Sequence, residues 1–306
     1  MQLKVGINFM GSDVRLGPSF GRVLALAREA DQRGIDMLTF PDHLAIGRRA
    51  FEAPLHFGEP FPFPRSMAWY EPVTALAALA AVTQRAQLSV NVLVAPLRSA
   101  LFIAKQIATL DVISDGRVAI GMAGGWHDAE FDASGVPLAG RFGRLEEQIG
   151  VCRALWAGAP ASYHGKHVQF EDLYAMPLPI QGTALPIYLG LPATGRHVER
   201  IARLADGWSW GYVADPLLIA AGLAKIRQEM ARIGRRSAPF EVKAFPSPIR
   251  RSDGTVDLDA TFACVPALVE TGVTIIEPNL HDYCSTAADI PQLLDQLNAL
   301  QRQFPG

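Results

Sequence analysis

Eight short apolar runs recur along the chain, and each is followed by a longer segment with helical spacing. They are LKVGINF (3–9), MLTF (37–40), QLSVNVLVAP (87–96), RVAIGMA (117–123), PIYLGL (186–191), GWSWGY (207–212), FEVKAF (240–245) and VTIIEPN (273–279). Runs this apolar predict strands buried on both faces, as in a parallel sheet covered by helices. Between the first two, FGRVLALAREADQRG sets Val23, Leu26, Ala27 and Ala30 on one face and closes at Gly34, a residue suited to a helix C-cap. EPVTALAALAAVT, LFIAKQIATLDVIS, RLEEQIGVCRALWAG, RHVERIARLADG, PLLIAAGLAKIRQEMARIG, DATFACVPALVETG and DIPQLLDQLNALQRQF continue the alternation. Eight βα units predict an α/β fold, a (β/α)8 barrel formed as one domain over residues 1–306. A doubly wound sheet is the alternative. With 49% of residues hydrophobic and only 19% charged, one large interior is favoured over two small ones.

Two interruptions exceed ordinary loop length: residues 41–71 after the second strand, and residues 157–185 before the fifth. The second contains SYHGKHVQFEDLYAMPLPIQG, which reads as a small hairpin. A formal net charge of −2 gives no global attraction to nucleic acid or to an anionic membrane. No apolar run approaches the roughly 20 residues that span a bilayer, and MQLKVGINFMG lacks the layout of a signal peptide. Cys152, Cys264 and Cys284 form no CxxC pair. Together these features predict a soluble, cytoplasmic protein with reduced thiols.

Loops that follow barrel strands form the active-site face, so residues just after each strand carry the most chemical weight. FPDHL sets Asp42 and His43 after the second strand, where a histidine can move a proton and an aspartate can orient it or meet a cofactor. The fourth strand ends in Gly124, Gly125 and Trp126, a bare stretch of backbone that another molecule could approach. The fifth ends at Gly190, and Leu191, Pro192, Ala193, Thr194 and Gly195 lead into a helix near Arg196, an arrangement suited to an anion. GINFMGSD resembles a phosphate loop only weakly, with no GxGxxG and no clear helix after it. His164 and His167 in the hairpin, and HDAE at 127–130, read as solvated surface, so no metal site is expected.

Taken together, PDHL, AKQIATLDVISDGRVAIGMAGGWHDAEFDASGVPLAGRFGRLEEQIGVCRALW, YHGKHVQFED and LPIYLGLPATGRHVERIARLADGW resemble the luciferase-like family of flavin- and deazaflavin-dependent barrel oxidoreductases. The likeness covers nearly the whole chain. The run LD-x-x-S-x-GR, GGW-x-x-x-EF, R-x-x-R-x-x-E is most similar to the branch that uses coenzyme F420, with FMN as the alternative cofactor. The resemblance implies a planar ring across the C-terminal mouth of the barrel, with Gly124 and Gly125 beneath it and Trp126 as a wall. It implies a non-prolyl cis peptide at Asn91-Val92, with Val94 completing that strand's contribution to the cofactor site, and a phosphate on the turn Gly190–Gly195. His43 then serves as general acid or base, with Asp42 beside it. Trp126 stands where the sugar-phosphate dehydrogenase branch carries a glutamate, which argues against a phosphorylated sugar.

The 41–71 loop, with Phe51, His56, Phe57, Phe61, Phe63, Trp69 and Tyr70, suggests an apolar or aromatic organic substrate, lined by Phe57, Trp69 and Tyr70. Packing of those rings onto the barrel is the plainer explanation. A homodimer and a separate reductase supplying reduced cofactor complete what the likeness implies. Competing readings are an FMN-dependent monooxygenase and a non-catalytic flavin-binding protein.

Overall fold

In the computed structural model, which describes residues 2–55, 59–209 and 214–305, ten strands form. In chain order they are β1 (Lys4–Asn8), β2 (Met37–Phe40), β3 (Gln87–Val94), β4 (Val118–Ala123), β5 (Ala161–His164), β6 (Gln169–Leu173), β7 (Ile187–Leu189), β8 (Gly207–Ser209), β9 (Glu241–Ala244) and β10 (Ile275–Ile276). Eight of them close into a parallel barrel in the order β1-β10-β9-β8-β7-β4-β3-β2, and the ring is completed by β1 on β2. The antiparallel pair β5–β6 stands outside it, within the 157–185 insertion. The (β/α)8 expectation holds, and the doubly wound alternative falls because the eight-stranded sheet closes on itself.

Helices follow the expected periodicity. Val23, Leu26, Ala27 and Ala30 are buried on the helix Phe20–Gln32, and Gly34 behind it takes φ 90°. DATFACVPALVETG forms two helices instead of one, Leu258–Phe262 and Val265–Thr271. Pro266 cannot donate inside a helix, so it sits in the first turn of a new one. A short helix, Ser12–Leu16, also follows β1, where the sequence suggested none.

Barrels are usually filled by branched apolar side chains. Here one layer is apolar, with Met37, Ala119, Tyr188 and Ile275 packed together. The layer toward the mouth is polar and centred on Glu277, which is fully buried. Its Oε1 accepts from Thr39 Oγ1 (2.9 Å), Asn91 Nδ2 (2.9 Å) and Asn8 Nδ2 (3.4 Å), and its Oε2 accepts from Lys243 Nζ (2.9 Å). Asn91 Oδ1 in turn accepts from Ser209 Oγ (2.7 Å). Between Val90 and Leu93 the register of β3 on β4 shifts, and the Asn91–Val92 peptide is cis. The bulged Val92 packs where Cβ atoms would stand on Gly121 and Gly190, at 3.0 and 2.9 Å, so those two glycines make room for it.

Lys243 and Glu277 are both shielded from water, so removing one partner leaves a bare buried charge. Lys243→Met is expected to lower unfolding free energy by about 3–5 kcal/mol. Adding Glu277→Gln should restore a large part of it. Denaturant unfolding of the single and double variants checks both statements.

Candidate active site

Asp42 and His43 leave β2 in opposite directions. Asp42 is buried and accepts from Val94 N (2.8 Å), Arg98 Nη1 (2.7 Å) and Arg98 Nη2 (2.8 Å). Burial pulls the Arg98 guanidinium down, but the Asp42 bonds, with Asp42, Glu71 and Glu130 nearby, hold it above its usual value. Asp42 is therefore committed to a two-pronged pair that ties the end of β2 to the end of β3. The expectation that Asp42 orients His43 is corrected: Asp42 accepts from Val94 and Arg98, and His43 Nδ1 faces Glu130 instead.

The group that orients His43 is Glu130. His43 Nδ1 lies 3.1 Å from Glu130 Oε2, and the glutamate side chain is 1% exposed. Glu130 Oε1 also accepts from Leu44 N and from Ala45 N (3.3 Å). Burial raises the Glu130 carboxyl, but the His43 bond and charge and the two backbone N–H groups outweigh it and keep it below the usual carboxylate value. An anion thus holds one imidazole nitrogen and leaves Nε2 for other work. Beside it, His127 accepts from Gly47 N at 2.7 Å through Nε2. HDAE does begin a helix, Asp128–Ala133, but His127 and Glu130 point inward from it and are buried, against the reading of a solvated segment. The sequence signal available was Phe131 beside Glu130, an apolar residue that anchors the helix face and is fully buried.

Three rings meet His43 edge-on: Trp69 at 4.8 Å, Trp126 at 5.6 Å and Phe61 at 5.7 Å between centroids. Phe61 belongs to a small apolar cluster with Met10, Ala50, Phe63 and Met67. Trp69 and Trp126 stay partly exposed at the mouth. Tyr70 is not brought to this site; it packs against Phe20 (5.0 Å) and Phe40 (6.1 Å) under the loop. The expected pocket residue Phe57, like His56, lies outside the described residues.

The glycine pair has an internal explanation. A Cβ on Gly124 would meet Phe142 at 2.6 Å, and one on Gly125, which has φ 75°, would meet Val94 at 2.5 Å and Phe131 at 2.8 Å. Val94 itself is buried in a flank cluster with Leu97 and Phe131. On their Cβ sides Gly124 and Gly125 thus meet Phe142, Val94 and Phe131 of the chain itself. Asn91, Val92 and Gly190, by contrast, keep partial exposure at the mouth.

In the turn after β7, Leu191 and Ala193 are buried, and Leu191 O accepts from Trp208 Nε1 (2.8 Å). Pro192, Thr194 and Gly195 are exposed, and nothing lies within 4 Å of a Cβ built on Gly195. Cations gather nearby around Phe142: Arg141 at 4.4 Å and Arg200 at 5.5 Å from its ring, with His197 edge-on at 4.6 Å. Burial, then Arg200 and Arg141, push the His197 imidazole below its usual value. Arg141 opens the R-x-x-R-x-x-E run, but sequence reasoning passed over Phe142, His197 and Arg200, and also Lys243 and Glu277, because each lies inside an otherwise ordinary helix or strand run.

Among the described residues, no group of three or more His, Cys, Asp or Glu could hold a metal ion, and no helix is long and apolar enough to cross a membrane. Arg98→Ala would leave Asp42 buried without its partner. We expect a loss of about 3–5 kcal/mol, with Arg98→Lys recovering only part because an ammonium cannot form the fork. Urea unfolding of the two variants measures it.

Comparison with known proteins agrees with this architecture. The chain is 36% identical over 185 residues to an uncharacterized protein of Mycobacterium tuberculosis, Rv0953c, covering 60% of this chain and 65% of that one. It is 32% identical over 142 residues to the FMNH2-dependent dimethylsulfone monooxygenase of Pseudomonas putida, covering 45% of this chain and 38% of the other. Its fold superposes on monooxygenase RslO1 of Streptomyces bottropensis with a TM-score of 0.79 at 19% identity, over 99% of this chain and 100% of that one. It also superposes on the coenzyme F420-dependent tetrahydromethanopterin reductase of Methanopyrus kandleri, with a TM-score of 0.69 at 17% identity and full coverage of both. A profile of the luciferase-like monooxygenase family runs through residues 5–255, on the closed barrel described above, and the chain belongs to that family.

Proposed function

We propose that this oxidoreductase moves hydride between coenzyme F420 and a small, apolar organic substrate at the barrel mouth. The observation that carries the reading is the His43–Glu130 pair, an imidazole one-tenth exposed and fixed by a buried carboxylate among aromatic rings. Hydride transfer to or from a carbon–oxygen bond needs a proton at the oxygen, and His43 Nε2 is the group for it. Glu130 fixes the ring through Nδ1. Trp69, Trp126 and Phe61 keep water away from that proton and favour an apolar substrate body.

The residues present suit a flat ring with an anionic tail. Val92, half-exposed over Gly121 and Gly190, offers a floor, and the two tryptophans offer walls. Asn91 is held from both sides beneath, and the exposed turn Thr194–Gly195 lies at the start of a helix. Bound there, the deazaflavin would supply or take the hydride, whereas reduced FMN would serve oxygen chemistry.

An FMN-dependent monooxygenase fed by a separate reductase is the second reading, favoured by the similarity to the dimethylsulfone monooxygenase. The proposal also includes a homodimer and a cytoplasmic setting. The three free thiols are compatible with the latter, and burial pushes Cys152 and Cys284 each up to about 12.

Binding titrations with F420 and with reduced FMN decide between the cofactors; tight binding of reduced FMN without affinity for F420 would overturn the preference. His43→Ala should retain cofactor affinity while turnover falls about 10²–10⁴-fold. Unchanged turnover in that variant would show instead that His43 is not the group that moves the proton.

A further inference from the structure

His127 has no part in the chemistry proposed above, yet it is buried and reaches the 41–71 loop. Its Nε2 accepts from Gly47 N at 2.7 Å, so that nitrogen carries no proton and the imidazole is neutral. Gly47 opens the short helix Arg48–Glu52, and its carbonyl accepts from Ala50 N (3.0 Å). Ala50 O then accepts from Phe61 N (2.7 Å), and the Phe61 ring stands 5.7 Å from His43. One line of contacts therefore runs from His127 through the loop backbone to the aromatic wall of the site. Gly47 is also the residue this approach requires. A Cβ there would lie 2.9 Å from Ala129 Cβ and 3.2 Å from His127 Nε2, although its φ of −70° suits any residue.

We infer that His127 is a positioning residue whose neutral imidazole latches the 44–52 strap over the barrel mouth, and that protonation of this ring releases the latch. An imidazolium would turn an N–H toward the Gly47 N–H, and the bond would be lost. The charged groups around His127 are Glu130 and Asp128 on its own helix and His43 from the β2 loop. Asp128 Oδ1 is 3.7 Å from His127 Nδ1 and its side chain is mostly exposed. Burial lowers the imidazole most, and His43 adds to that, against Glu130 and Asp128, so the ring stays below its usual value.

The sign follows from that direction. The latched state disfavours the proton, so latching is complete above the ordinary histidine value of about 6.5 and weakens as pH falls below it toward the lowered value. The neighbouring Leu44 and Ala45 amides are held by Glu130, which is kept below its usual carboxylate value, and they should not respond in this range. The inference concerns the strap alone and stands whichever cofactor binds.

Hydrogen exchange of the full chain tests it, with each rate divided by the rate of an unstructured peptide at the same pH. Between pH 8 and pH 5.5 the Gly47 amide should lose protection about five- to tenfold, the range one hydrogen bond supplies. Leu44, Ala45 and the β4 amides should hold theirs. His127→Gln, which can still accept but cannot titrate, should keep Gly47 protected at both pH values. His127→Ala should leave it unprotected at both. Gly47→Ala keeps every side chain of the cluster but sets a Cβ against Ala129 and His127, and should leave the residue-47 amide unprotected at both pH values, even if His127→Ala fails to fold. Gly47 protection independent of pH in the natural chain, or a His127→Gln variant that titrates as before, would overturn the inference.

Discussion

A single carboxylate inside the barrel holds the mouth together. Glu277 follows β10 and binds side chains from β1, β2, β3 and β9, and Asn91 passes the connection on to β8. Glu277, Lys243, Thr39, Asn8 and Ser209 are buried, so their donors and acceptors must find partners within the protein. The consequence is geometric: Asn91 is fixed by Glu277 on one side and Ser209 on the other, and that sets where the bulged Val92 stands. Gly121 and Gly190 complete the arrangement by leaving space for its side chain.

On that base the site is assembled in two steps with different jobs. Asp42 and Arg98 form a buried two-pronged pair that joins the ends of β2 and β3, so His43 leaves a backbone that cannot shift. Glu130 and His127, both from the short helix after β4, then reach back to the 41–71 loop and take its N–H groups at Leu44, Ala45 and Gly47. The described residues of the loop form no strand, and side-chain acceptors supply what a ladder otherwise would. Its rings close around His43 as a result. One acidic residue thereby serves both the loop backbone and the imidazole, which links the shape of the mouth to the state of its one central histidine.

Much of this was legible in the residues, and the misreadings share a cause. His43 after β2 and Trp126 after β4 are local features, set by position in a strand–loop unit, whereas the bulge at Asn91–Val92 came only from the resemblance to a family. Asp42 was assigned to His43 because they are adjacent in the chain, but neighbours at a strand end point to opposite sides, and Arg98 lies 56 positions away. Gly124 and Gly125 suggested a visiting molecule, and the space beside their Cβ positions is held by Phe142, Val94 and Phe131 from distant parts of the same chain. Tyr70 was grouped with Trp69 by adjacency and faces the opposite way.

By itself the sequence determined eight alternating strand and helix units, because continuous apolar runs and a 3.6-residue pattern of burial are written into consecutive residues and need no partner to be read. It also determined which loops carry chemistry, since those are the segments that follow strands. Only the tertiary structure decided which acid serves which base. Glu130 meets His43 across 87 positions and Lys243 meets Glu277 across 34, pairings that arise only once strands from separate units are brought side by side. Charges in a low-dielectric interior bind whatever complementary group closure places within reach, and closure is a property of the whole ring of strands.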